Sequence, residues 1–130
     1  MKHGILVVED NQLNRELLCD WLEVEGYEVW STADLKASYE VFAKRLLDAV
    51  LLDINLGAEN GLDLVTWMRQ KPELRKIPVI AVTAHALVAD QERILEAGCG
   101  ACLSKPIDFR LLREELNRSL QDSKTSQIDS

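Results

Sequence analysis

The sequence predicts an α/β fold: a doubly wound, five-stranded parallel sheet. Three observations predict it: five short apolar runs, helix-length segments separating them, and polar residues immediately after four of the five runs. The runs cover 5–8, 27–30, 49–52, 79–82 and 101–103. The first, third and fourth are apolar throughout, as strands covered on both faces are, whereas a strand with one wet face alternates. Strand-length and helix-length segments in regular alternation give βα units and a parallel sheet.

The intervening helices follow in order. Leu13, Leu17 and Trp21 recur at i, i+4 and i+8 with Leu18 and Leu22 beside them, and Gly26 offers a C-terminal stop. Residues 34–46, 61–71 and 88–97 are the next three predicted helices. The last of these carries the polar stretch Asp90-Gln91-Glu92-Arg93 and has the weakest apolar face. Asp108 is a candidate N-cap for a closing helix with Leu112, Leu116 and Leu120 on one stripe. From Gln121 onward apolar periodicity ends, so the expected division is a domain over 1–121 and a disordered tail over 122–130.

A chain of 130 residues with 47% hydrophobic and 28% charged residues is long enough to bury its own core. Its formal net charge of -7 repels phosphate backbones, which argues against direct nucleic-acid binding. No apolar run approaches the roughly 20 residues a membrane helix requires. The cysteines, Cys19, Cys99 and Cys102, are odd in number, and no signal-peptide stretch follows Met1. A reducing, cytoplasmic setting is therefore expected.

The polar residues that follow the runs are Glu9 and Asp10, Asp53, Thr83, and Ser104 with Lys105. In a parallel sheet these share one edge, and ligands bind outside the carboxyl ends of the strands where the strand order reverses. No glycine-rich phosphate cradle follows the first run, where Asp10-Asn11-Gln12-Leu13 stands instead. Three converging carboxylates need a cation, a proton or a basic side chain beside them. Carboxylate oxygens with few other ligands suit Mg²⁺, which keeps waters and accepts a phosphate oxygen. The Thr83 hydroxyl and the Lys105 ammonium suit phosphoryl oxygens. The residue pattern by itself does not choose between Asp10 and Asp53 as an acceptor.

Four separated motifs, Val7-Val8-Glu9-Asp10-Asn11, Leu51-Leu52-Asp53-Ile54-Asn55, Val82-Thr83-Ala84 and Leu103-Ser104-Lys105-Pro106, together resemble the CheY-like receiver domain of two-component response regulators. The resemblance extends from Ile5 to about Leu120. It implies a flavodoxin-like (βα)5 sheet with strand order 2-1-3-4-5. It also implies that Asp53 accepts a phosphoryl group from a phosphohistidine on a histidine kinase or histidine phosphotransfer protein. Mg²⁺ would be held by Asp10, Glu9, Asp53 and the backbone carbonyl of Asn55. Thr83 would bond the bound phosphoryl group with the Ala84 N–H nearby, Lys105 would offset its charge, and the Lys105–Pro106 bond would be cis.

The resemblance further implies a phosphoacceptor, not an enzyme acting on a separate substrate: a stand-alone response regulator, monomeric or weakly dimeric when phosphorylated, signalling to a downstream protein. The alternatives are a receiver excised from a hybrid histidine kinase and a pseudo-receiver that never takes phosphate. A metal-dependent nuclease or Toprim-like site also joins a glutamate to a D-x-D, but Asn55 stands where the second aspartate belongs, and Thr83 and Lys105 go unexplained.

Several positions depart from the family pattern. Cys102 stands where an aromatic switch residue is usual, and Gly57 stands where a proline is common, which predicts a looser loop over 55–61. Glu9 replaces the more frequent aspartate. Cys99 and Cys102 have zinc-like C-x-x-C spacing without a second ligand pair, so buried thiols are expected. His85 is expected to be a loop residue beside the site and, with Asn55, a candidate for tuning phosphate lifetime. Trp21 is expected at the core or its rim, with Asn14, Arg15 and Leu18 as candidate partner contacts. Trp30 and Trp67 are left unassigned.

Overall fold

The computed structural model describes residues 2–84 and 87–129, with side chains through Gln121. The expectation for His85 lies outside the described residues. In chain order the elements are β1 (Gly4–Val8), α1 (Gln12–Val24), β2 (Glu28–Thr32), α2 (Leu35–Lys44), β3 (Ala49–Asp53), β4 (Asn55–Leu56), β5 (Glu59–Asn60), α3 (Leu62–Arg69), β6 (Val79–Thr83), α4 (Val88–Glu96), β7 (Ala101–Ser104) and α5 (Phe109–Asp129).

Five strands form one parallel sheet in the order β2-β1-β3-β6-β7. Counted along this sheet alone, that is the expected 2-1-3-4-5. Side chains of a strand alternate between faces, and the core divides accordingly. Leu6, Val8, Val50, Leu52, Val79 and Ala81 belong to one cluster, with Leu35, Leu64, Met68 and Ile94 from α2, α3 and α4. Ile5, Val7, Ala49, Leu51 and Ile80 belong to the other, with Leu18 and Leu22 from α1 and Leu112 and Leu116 from α5. The unbroken apolar runs are thus strands sandwiched between two helical layers.

Caps set the helix boundaries. Asn11 Oδ1 accepts the Asn14 N–H at 3.0 Å, Asp34 Oδ1 accepts that of Ala37 at 2.8 Å, and Asp108 Oδ1 accepts that of Arg110 at 2.9 Å. Asn11, not Asp10, caps α1, which leaves the Asp10 carboxylate at the sheet edge. Gly26 terminates the α1 region at φ +97°, a conformation that costs other residues steric strain.

One expectation is corrected. On α1 the buried stripe is Leu18 and Leu22, while Leu13 and Leu17 are 77% and 56% exposed. The helix carries two adjacent leucine stripes, and packing on the sheet buries the second. The 55–61 segment is a two-residue-turn hairpin, β4 against β5, in which Gly57 supplies the positive φ of +59° at the first central position. The backbone of α5 runs on as helix through Asp129.

Half-buried tryptophans anchor the rims of both layers. Trp21 packs on Phe109 of α5 at 5.1 Å between ring centroids, Trp67 packs on Tyr39 of α2 at 4.7 Å, and Trp30 lies under the Arg45 guanidinium. None of the three is an exposed surface marker. Cys99 is buried and Cys102 half-buried, both as free thiols. Burial pushes the Cys99 thiol up to about 12 and also raises that of Cys102, so neither offers a ready thiolate for metal or redox chemistry.

Candidate functional site

The sheet order reverses between β1 and β3, and the acidic residues gather at that point. Glu9 and Asp10 follow β1, and Asp53 ends β3. Carboxylate oxygens of the three lie within 4.8 Å of one another. Glu9 and Asp53 are 2% and 4% exposed, whereas Asp10 faces solvent.

Lys105 enters from the other side. The Lys105 N–H donates to the Thr83 carbonyl at 2.9 Å, extending the β6–β7 ladder one residue past Ser104. The Lys105–Pro106 bond is cis. Lys105 Nζ donates to Asp53 Oδ2 at 2.9 Å and to Glu9 Oε1 at 3.1 Å, and so bridges the two buried carboxylates. The remaining oxygens are also held: Asp53 Oδ1 accepts the Asn55 N–H at 2.9 Å, and Glu9 Oε2 accepts that of Asn11 at 3.3 Å. Thr83, 2% exposed, closes the end of β6 beside them. The structure therefore brings together Glu9, Asp10, Asp53, Asn55, Thr83 and Lys105.

Charge in the cluster is out of balance. Burial, and then the hydrogen bond shared with Asp53, push the Glu9 carboxyl up to about 7, with Lys105 pulling the other way. Burial alone would lower the Lys105 ammonium, but hydrogen bonds to Asp53 and Glu9 outweigh it and raise the group above its ordinary value. One ammonium does not neutralise three carboxylates. A divalent cation among the oxygens of Glu9, Asp10 and Asp53 would complete the neutralisation, so the donor set fits Mg²⁺.

Sequence reasoning missed or misplaced three contributors. Arg15, a candidate partner contact, donates from Nη1 to the Glu9 carbonyl at 2.9 Å and holds the acidic turn from behind. Gly61 is required by close approach, because a Cβ there would lie 2.5 Å from the Asp53 carbonyl oxygen. A glycine eight residues after an acidic strand end was the available signal, and nothing local gave it weight. Leu18, also read as a partner contact, is only 4% exposed. It forms part of the wall of a cleft of about 420 Å³ between α1 and the turn into α5, lined also by Asn14, Leu17, Pro106 and Ile107.

A second cleft of about 470 Å³ lies on the other side of Thr83, between the β4–β5 hairpin and α4, with Asn55, Glu59 and Arg93 among its walls. Access to the acidic cluster is thus bordered by an apolar lip at α1 and a polar one at the hairpin.

Comparison with known proteins agrees with this geometry. The response regulator receiver domain pattern matches residues 5–117. The polar-differentiation response regulator DivK of Brucella anthropi is 39% identical over 123 residues, spanning 95% of this chain and 100% of that protein. Among solved structures, the receiver domain of a sensor histidine kinase from Pseudomonas aeruginosa, with a magnesium ion coordinated in its active-site cleft, is 32% identical. It superposes with a TM-score of 0.84 over 93% of this chain and 99% of that one. A CheY-like receiver domain protein from Methanospirillum hungatei is 25% identical and superposes with a TM-score of 0.88 over 97% of this chain and 99% of that one. Sheet order, acidic cluster and matched pattern agree: the chain belongs to the response regulator receiver domain family.

Proposed function

We propose that Asp53 accepts a phosphoryl group from a phosphohistidine on a histidine kinase or histidine phosphotransfer protein, and that the chain acts as a stand-alone response regulator. The observation that carries this reading is the Lys105 ammonium seated on both Asp53 and Glu9 at the point where the sheet reverses. In the transfer, an Asp53 carboxylate oxygen bonds to phosphorus while the phosphorus–nitrogen bond of the donor imidazole breaks. The ring nitrogen leaves with the bonding pair. Positioning and charge neutralisation supply most of the catalysis of such a transfer.

Glu9, Asp10, Asp53 and the Asn55 carbonyl would hold Mg²⁺, which when bound supplies positive charge beside the phosphoryl oxygens. Lys105 trades its carboxylate bonds for the entering group's oxygens, and the Thr83 hydroxyl donates to another oxygen. The chain promotes its own phosphorylation and dephosphorylation and acts on no separate substrate. It works in the cytoplasm through protein–protein contacts; among the described residues no helix is long and apolar enough to cross a membrane. The expected result with acetyl phosphate and Mg²⁺ is one added phosphoryl group per chain by intact-mass measurement, and none in excess EDTA. Full transfer in EDTA would rule out the metal's role.

The Glu9 carboxyl gives this reading a pH signature. Its folded-state pKa of about 7 lies above the ordinary 4.5, so between those values the folded chain holds a proton that the unfolded chain releases. The resulting stability is fully present at low pH and is lost as pH rises through 7. Mg²⁺ favours the ionised form. The melting-temperature increase produced by Mg²⁺ should therefore be small at pH 5 and reach its full size by pH 8. An increase of equal size at both pH values would contradict the assignment of Glu9 as the titrating ligand.

A further inference from the structure

The segment joining Asp53 to α3 is anchored at three points. Leu56 of β4 is buried in the larger core cluster at 3% exposure, and Asn60 Oδ1 of β5 accepts the Leu62 N–H at the start of α3, at 3.0 Å. The third anchor is long-range: Glu59 Oε1 accepts the N–H of Leu35, 24 residues earlier, at 3.3 Å. Leu35 is the first residue of α2, and its N–H is one of the donors that a helix cannot satisfy internally. The Asp34 cap serves Ala37, so Glu59 takes a donor the cap leaves over. A carboxylate there is also favoured by the helix dipole.

This anchor acts on the site through the hairpin ladder. Glu59 pairs with Leu56, Asn60 pairs with Asn55, and the Asn55 N–H donates to Asp53 Oδ1. With only two residue pairs, the hairpin has little stability of its own. Its turn contains Gly57, which adds backbone freedom in the unfastened state.

We propose that Glu59 is a positioning residue: by bonding the first N–H of α2 it fixes the hairpin so that Asn55 is presented to Asp53 and to the metal site. The proposal rests on the metal-assisted acceptor role of Asp53. It makes the start of α2 a mechanical neighbour of the acidic cluster, and a partner that moved α2 would reach the site by this route.

The test compares Glu59→Ala, which loses the acceptor, with Glu59→Gln, which keeps an oxygen acceptor and loses the charge. Mg²⁺ affinity is measured by calorimetry on the full chain, and exchange of the Leu35 amide by NMR. Glu59→Ala is expected to weaken Mg²⁺ binding by roughly tenfold, as loss of an outer support of a metal site does, and to speed exchange at Leu35. Glu59→Gln is expected to stay within about twofold of the unmodified chain on both readouts. Equal weakening in both variants would assign the effect to charge at a distance and overturn the proposal, as would unchanged affinity in Glu59→Ala. An unmodified chain that binds no Mg²⁺ would overturn the acceptor reading itself, an outcome separate from either.

Discussion

Asp53→Asn is expected to abolish phosphoryl transfer and, without a divalent cation, to stabilise the fold at pH 8 by on the order of 1–2 kcal/mol. The two effects have different origins. Asparagine keeps one acceptor oxygen, enough for the Asn55 N–H, but in that geometry turns its NH2 toward Lys105 in place of the second oxygen, and its amide is not a nucleophile toward phosphorus. The gain in stability comes from the cluster itself. Asp53 is among the causes that hold the Glu9 carboxyl at about 7, and removing its charge leaves Lys105 to serve Glu9 alone. Thermal melting in EDTA should show a rise of a few degrees relative to the unmodified chain. An unchanged or lower melting temperature would mean that the cluster is already balanced. Phosphoryl incorporation at the unmodified rate would remove Asp53 from the mechanism.

Lys105→Met is expected to act in the opposite sense on stability and in the same sense on transfer. Its ammonium is the cation bonded to both buried carboxylates, and methionine fills similar volume without charge or donor. Removing one partner of a buried ionic cluster leaves uncompensated charge, here worth about 2–4 kcal/mol at pH 8 without metal. The loss should shrink as pH falls through 7, because Glu9 then takes a proton. Phosphoryl transfer from acetyl phosphate with saturating Mg²⁺ should slow by roughly 10²-fold, since one preorganised positive charge is missing. Chemical denaturation across pH, with a labelling time course, measures both. A stability loss independent of pH would assign Lys105 a packing role only.

Much of this arrangement was legible in the sequence, for physical reasons that also explain what was not. A strand covered on both faces has no polar alternation, so residues 5–8, 49–52 and 79–82 declared a parallel sheet. The parallel sheet in turn placed Glu9, Asp10, Asp53, Thr83 and Lys105 on one edge before any distance was known. The stripe of Leu112 and Leu116 was readable because it is the single apolar face of α5 there. On α1 two leucine stripes compete, and only packing on the sheet decides that Leu18 and Leu22 go in while Leu13 and Leu17 stay out.

Local pattern also fails for the β4–β5 hairpin, since two-residue strands have no period to read and Gly57 suggests looseness as readily as a turn. The contacts of Arg15 with Glu9, Gly61 with Asp53 and Glu59 with Leu35 depend on how separate segments meet. None has a local pattern that singles it out.

The most direct measurement traps the product. The chain is phosphorylated with acetyl phosphate and Mg²⁺, reduced with borohydride, digested, and its peptides sequenced by mass spectrometry. An acyl phosphate on Asp53 is reduced to homoserine, so homoserine at position 53 is the predicted result. Homoserine at position 10 with unmodified aspartate at position 53, or a phosphoryl group that survives reduction on another side chain, would contradict it.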